Sequence, residues 1–134
     1  MKNITFEKYQ GNGNDFVVID SRGNDLYKNY KTNKIFDIKK ICNRQFGIGA
    51  DGVIFIEEPN EDNYAKMIIF NSDGSEAQMC GNGIRCLVEY LHVNDSINNK
   101  NIEYKIETKA GLKIAKYIND EITVKMGVPI LDSQ

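Results

Sequence analysis

The chain has 134 residues and a formal charge of -2, with 17 basic and 19 acidic side chains interspersed along it. That length allows one domain with a real core, and no basic block is present to neutralise a run of phosphates, so nucleic acid is not an expected partner. No stretch approaches the roughly 20 apolar residues of a membrane span, and residues 1–7 lack the apolar centre of a secretory signal; the expectation is a cytosolic protein without membrane contact.

The first forty-odd residues read as two strands, 4–9 and 16–20, joined by the turn Gln10-Gly11-Asn12-Gly13-Asn14. A polar loop follows, then a helix near 35–46, on which Ile35, Ile38, Ile41, Cys42 and Phe46 keep helical spacing. The glycine-rich segment Gly47-Ile48-Gly49-Ala50-Asp51-Gly52 leads into the apolar run 53–56, and Pro59 with polar neighbours separates that run from a second one over 64–70. Both runs suit buried strands.

After the turn Ser72-Asp73-Gly74-Ser75 comes Met79-Cys80-Gly81-Asn82-Gly83, and then Ile84, Leu87, Val88 and Leu91 fall at i, i+3, i+4 and i+7. This predicts a helix whose start lies beside Cys80, and Cys86 and Tyr90 give it a second apolar side, so it should be central rather than superficial. Beyond it, Ile102, Tyr104, Ile106 and Thr108 alternate with charged residues, and the alternation resumes at Leu112/Ile114 and at Ile122/Val124/Met126. With turns at Ala110-Gly111 and Asn119-Asp120 the pattern is an antiparallel meander.

Three cysteines, Cys42, Cys80 and Cys86, lack CxxC spacing and accompany a single histidine, so neither a disulfide framework nor a zinc site is indicated. Asn71-Ser72-Asp73-Gly74 lacks the ligand spacing of a calcium loop. The 47–52 segment satisfies GxGxxG but follows a helix and opens a strand, the reverse of a dinucleotide fingerprint, so it reads first as a helix cap and tight turn, in which Asp51 could hydrogen-bond, and second as a loop whose glycines let backbone approach a ligand.

Cys80-Gly81-Asn82-Gly83 carries the most chemistry. A thiol at a helix start meets the positive end of the dipole and free N–H groups, which favour the thiolate, and the same N–H groups suit a carboxylate ligand. Cys42 and Cys86 sit among Ile, Leu and Val on helical patterns and read as core. Asn14 and Asn71 could each aim an amide at a polar ligand or simply form a turn. His92, at the end of the central helix, reads as structural.

Four segments together resemble the N-terminal domain of the diaminopimelate epimerase family: Gly11-Asn12-Gly13-Asn14-Asp15-Phe16, Gly47-Ile48-Gly49-Ala50-Asp51-Gly52, Phe70-Asn71-Ser72-Asp73-Gly74-Ser75-Glu76 and Met79-Cys80-Gly81-Asn82-Gly83-Ile84-Arg85-Cys86. The resemblance implies an α+β fold, a mixed and largely antiparallel sheet curled around a central helix, as one of two lobes facing across a cleft. On this reading residues 1–127 form the N-terminal lobe, 128–134 begin the interdomain linker, and the C-terminal lobe is missing.

It further implies a cofactor-independent epimerase that converts LL- to meso-diaminopimelate, with Cys80 as one acid/base, a second thiol from the other lobe, and no metal or other cofactor. Asn14, Asn71, Gly81 and Asn82 would bind the amino-acid substrate. Some members carry Gln where this chain has Gly52, so that contact is lost here. Related proline racemases have His at the place of Asn82, and phenazine-type relatives lack the cysteine, so Cys80 with Asn82 favours diaminopimelate.

The chain alone is expected to be inactive, and an unpaired sheet edge would invite association, including a homodimer. The alternatives are a non-catalytic amino-acid-binding lobe, a related racemase or isomerase of the same fold, and a thiol nucleophile partnered by His92.

Overall fold

A computed structural model describes residues 6–11, 13–33, 37–78, 80–95, 101–119 and 121–125. Its elements in chain order are β1 (Glu7–Gly11), β2 (Asn14–Asp20), α1 (Leu26–Asn33), α2 (Ile38–Cys42), β3 (Gly52–Glu57), β4 (Ala65–Asn71), β5 (Glu76–Ala77), α3 (Gly81–Asn94), β6 (Asn101–Thr108), β7 (Gly111–Ile118) and β8 (Glu121–Lys125). The strands form one sheet in the order β1-β2-β3-β4-β6-β7-β8, with β5 paired to β4. Only β2 with β3 and β4 with β6 pair in parallel; the other pairs are antiparallel.

The continuous apolar runs of β2, β3 and β4 follow from cover on both faces of the sheet. Phe16, Val18, Ile54, Ile56, Met67 and Ile69 face one core, which contains Ile84, Leu87, Val88 and Leu91 of α3. Their neighbours Val17, Ile19, Val53, Phe55, Ile68 and Phe70 face a second core with Tyr30 of α1 and with Ile38 and Cys42 of α2. These four residues of α3 are fully buried, and full burial of each such side chain stabilises by about 1.5–3 kcal/mol. Terminal strands β1 and β8 both pack on α3, so the sheet curls around this central helix as expected.

Several boundaries differ from the expectations. The stretch read as a polar loop contains α1: Asn24 Oδ1 accepts from Leu26 N at 3.0 Å, and Tyr30 is buried against Phe55 and Phe70. The helix expected near 35–46 is described only as Ile38–Cys42. Asn43 adopts an extended conformation and its Oδ1 accepts from Gln45 N and Phe46 N at 2.8 and 2.9 Å, which turns the chain away and leaves Phe46 84% exposed. Ile35 lies outside the described residues.

In the meander, Tyr104 and Ile106 point inward and the two hairpins close where the turns were expected. On β7, however, Ala115 and Tyr117 are the buried residues and Leu112 is exposed. The pairing of Tyr104 with Ala115 and of Ile102 with Tyr117 puts the inward set of β7 one residue out of step with Leu112/Ile114. Met126 and the proposed linker at 128–134 lie outside the described residues.

A polar clamp closes the end of α3 remote from Cys80. Arg22 donates to Asp20 and, through both terminal nitrogens, to Asp95 at 3.0 and 2.9 Å, while Tyr64 Oη donates to Asp95 Oδ2 at 2.6 Å. Burial alone would raise the Asp95 carboxyl, but the bonds from Arg22 and Tyr64 and the guanidinium charge outweigh it and hold the group below its ordinary value. A depressed folded-state value means that the contribution to stability is full above the unfolded value near pH ~4 and is lost as the pH falls through the folded one. Asp95→Asn is therefore expected to lower unfolding free energy at neutral pH by about 1–3 kcal/mol, with the gap to the parent chain narrowing below pH ~4, as read by urea titrations across that range.

Candidate active site

β2 and β3 run parallel and begin at one rim of the sheet, where Phe16 lies opposite Gly52, and β4 ends there with Asn71 opposite Gly52. The start of α3 is tied to the same rim, because Asn82 Nδ2 donates a short hydrogen bond to Asn14 Oδ1. Asn14, Asn71, Cys80, Gly81 and Asn82 thus come from three separate sequence regions and meet at one end of the fold.

Cys80 is the N-cap of α3 in extended conformation, and its carbonyl accepts the first helical bond from Ile84 N at 3.0 Å. Its side chain makes no capping hydrogen bond, so the N–H groups of the first turn are not occupied by the thiol and can face an anion. A Cβ at Gly81 would meet no atom within 4 Å, which leaves this side of the helix start open. A Cβ at Gly83 would instead lie 2.9 Å from Ile69 Cδ1, so glycine there permits the close seating of the helix on β4.

The other two thiols are core groups, as expected. Cys42 and Cys86 are 4% and 2% exposed, whereas Cys80 is partly exposed. Burial raises the Cys42 thiol and, together with the nearby Cys80, pushes the Cys86 thiol up to about 12. His92 stacks on Tyr117 with ring centroids 3.7 Å apart, and its Nδ1 lies 3.0 Å from Tyr104 Oη. It also stands twelve residues along α3 from Cys80, about 18 Å of helix rise, so it is no base for that thiol.

Asn71 shares the rim but spends its amide locally, donating from Nδ2 to Ser75 Oγ at 3.0 Å within the 71–75 turn. The glycine-rich loop behaves as a cap: Ile48 N and Gly49 N donate to Ile41 O at 2.9 and 3.0 Å, and Ala50 N donates to Cys42 O at 3.2 Å. At its end, a Cβ on Gly52 would lie 2.4 Å from Phe70 O and 3.1 Å from Phe16 Cε1. A glutamine side chain at this position has no room on this backbone.

A charged cluster beside Asn14 was not singled out from the sequence. Arg44 donates to both oxygens of Asp15 at 3.1 and 2.8 Å and to Asp51 Oδ1 at 3.1 Å, and Lys8 Nζ pairs with Asp15 at 3.1 Å. The bond from Arg44 above all, then those from Lys8 and Asp51, hold the Asp15 carboxyl far below its usual value against the effect of burial. The signal available in the sequence was only that Asp15 and Asp51 stand next to the two glycine-containing rim segments. Among the described residues no three His, Cys, Asp or Glu side chains converge as a metal-binding group.

Two measurements follow from this geometry. Iodoacetamide should label Cys80 first, with Cys42 and Cys86 modified only after denaturation, as followed by peptide mass spectrometry. Gly52→Gln should lower unfolding free energy by about 1–3 kcal/mol in urea titrations, since Phe70 and Phe16 must move.

Residues 6–131 match the family model described as diaminopimelate epimerase. A diaminopimelate epimerase from Prochlorococcus marinus (strain NATL2A) is 55% identical over 133 residues, covering 98% of this chain and 46% of that protein. One from Methanocaldococcus jannaschii is 46% identical over 132 residues, covering 94% of this chain and 43% of that protein. The chain therefore spans about half the length of the curated relatives it matches.

Among solved structures, a PhzF-family phenazine biosynthesis protein from Bacillus anthracis superposes with a TM-score of 0.61 at 22% identity, over 92% of this chain and 40% of that one. A hydroxyproline epimerase from Agrobacterium vitis, with bound trans-4-hydroxy-L-proline, gives 0.61 at 17% identity over 83% and 36%. These distant likenesses establish the fold; the extent of the family match and the close relatives place this chain in the diaminopimelate epimerase family.

Proposed function

We propose that this chain is half of a cofactor-independent epimerase interconverting LL- and meso-diaminopimelate, with Cys80 as one of two acid/base thiols. The observation that carries the reading is that Cys80 alone of the three cysteines is partly exposed, and that it caps a helix beside the Asn14–Asn82 pair. Gly81 and Asn82 offer backbone N–H groups to the substrate carboxylate, and Asn14, Asn71 and Asn82 offer its polar groups the donors and lone pairs their amides keep beyond the bonds to Asp51, Ser75 and each other.

Inversion at an α-carbon requires removal of a weakly acidic proton on one face and delivery of another on the opposite face. Cys80 as thiolate takes the proton, and electron density moves into the carboxylate, where the helix N–H groups stabilise it. A thiol on the far side then protonates the carbon, and the roles exchange in the reverse direction. Cys42 and Cys86 are buried on this lobe, so neither supplies the opposite face. The second thiol comes from a lobe outside these 134 residues, and the sheet edges at β1 and β8, unpaired among the described residues, suit contact with that lobe or with a second copy. A cytosolic small-molecule enzyme accords with the absence, among the described residues, of a helix long and apolar enough to cross a membrane.

The 134-residue chain by itself is expected neither to epimerise LL-diaminopimelate nor to exchange its α-proton in D₂O. Co-expression with the C-terminal half of a family member should yield activity. Cys80→Ala should then reduce kcat/KM by about 10²–10⁴, and full activity in that variant would sink the assignment.

A further inference from the structure

We propose that Asp51 is a positioning residue that sets the polarity of the two amides at the candidate site; this rests on reading the rim as the substrate site. The two ends of an asparagine amide are nearly the same shape, so its orientation is decided by its partners. An ionised carboxylate only accepts. Asp51 Oδ2 accepts from Asn14 Nδ2 at 3.3 Å, which turns Asn14 Oδ1 the other way, and Asn82 Nδ2 donates to that oxygen. Orientation therefore passes from Asp51 through Asn14 to Asn82, at the first turn of α3.

Asp51 is itself held from three sides. Its Oδ2 also accepts from Asp15 N at 3.0 Å, its Oδ1 accepts from Arg44 at 3.1 Å, and its own N–H donates to Asp15 O at 2.8 Å. The consequence for a ligand is specific. Among the described residues Asn82 Oδ1 receives no hydrogen bond, so the relay leaves an acceptor at the helix start beside the N–H donors of the first turn. With the polarity reversed, the same position would present only further donors.

The test reads the side-chain amide signals of Asn14 and Asn82 in ¹H–¹⁵N spectra of the 134-residue chain, and needs no turnover, so its failure is distinct from failure of the epimerase reading. Asp51→Asn keeps the shape but supplies both donor and acceptor. The signals of both asparagines should shift or split, while the backbone signals of Leu87, Val88 and Leu91 stay in place. Arg44→Met, which loosens the charged cluster but leaves the carboxylate, should move both amides much less than Asp51→Asn does. The proposal is overturned if Asp51→Asn leaves both side-chain signals unchanged, or if Arg44→Met displaces them equally. Should Asp51→Asn not fold, Asn14→Ala decides: the Asn82 side-chain signal must move, and an unmoved signal overturns the relay.

Discussion

The seating of α3 on the sheet governs where everything else at the rim can stand. Gly83 lies against the terminal methyl of Ile69, which would have to turn aside for an added Cβ, and the fully buried Ile84, Leu87, Val88 and Leu91 continue that contact along the helix. A helix held this closely at its first turn cannot slide or tilt freely, because interiors pack densely and respond to small changes in volume. Its N-cap, Cys80, is thereby placed level with the ends of β2, β3 and β4.

Polar networks at both ends of α3 complement that apolar middle. At the start, Asn82 joins Asn14, which joins Asp51, and Arg44 ties Asp51 to Asp15. At the finish, Arg22 links Asp20 at the end of β2 to Asp95, the C-cap of α3, and Tyr64 adds a third bond. Burial is non-directional, whereas hydrogen bonds to charged groups have fixed geometry. The apolar contacts therefore bring helix and sheet together, and the two networks set their register. The networks differ in exposure: the Arg22 side chain is 19% exposed and that of Arg44 56%, so the remote clamp contributes more to stability and the rim cluster more to orientation.

Much of the fold was legible because its signals are local and periodic. The spacing of Ile84, Leu87, Val88 and Leu91 specified a buried helix face, the unbroken runs at 53–56 and 64–70 specified strands covered on both sides, and the hairpin turns of the meander were marked by Gly111 and Asn119. Less legible were elements whose signal is weak or competes with another. In α1 only Leu26, Tyr27 and Tyr30 are apolar, and the polar remainder disguises the helix until Tyr30 meets Phe55 and Phe70. The inward face of β7 was misread because Leu112 and Ile114 are more apolar than Ala115, yet pairing with Tyr104 on β6 puts the alanine inside. Cross-strand register overrides side-chain hydrophobicity there.

By itself the sequence determined the chemical inventory of the rim: a cysteine between a turn and a helix, flanked by glycines and an asparagine, with two further asparagines beside glycine turns. It also separated Cys80 from Cys42 and Cys86, since the latter two lie on apolar helical stripes; in the fold, burial makes their thiols harder to ionise. Only the tertiary structure decided which of these groups meet. It joined Asn14 to Asn82 across 68 positions of chain, turned the Asn71 amide into its own loop, and enlisted Asp51 and Arg44 as neighbours of the site. Contacts of that kind depend on strand order and helix seating, which arise from the packing of the whole core and leave no periodic trace in any one segment.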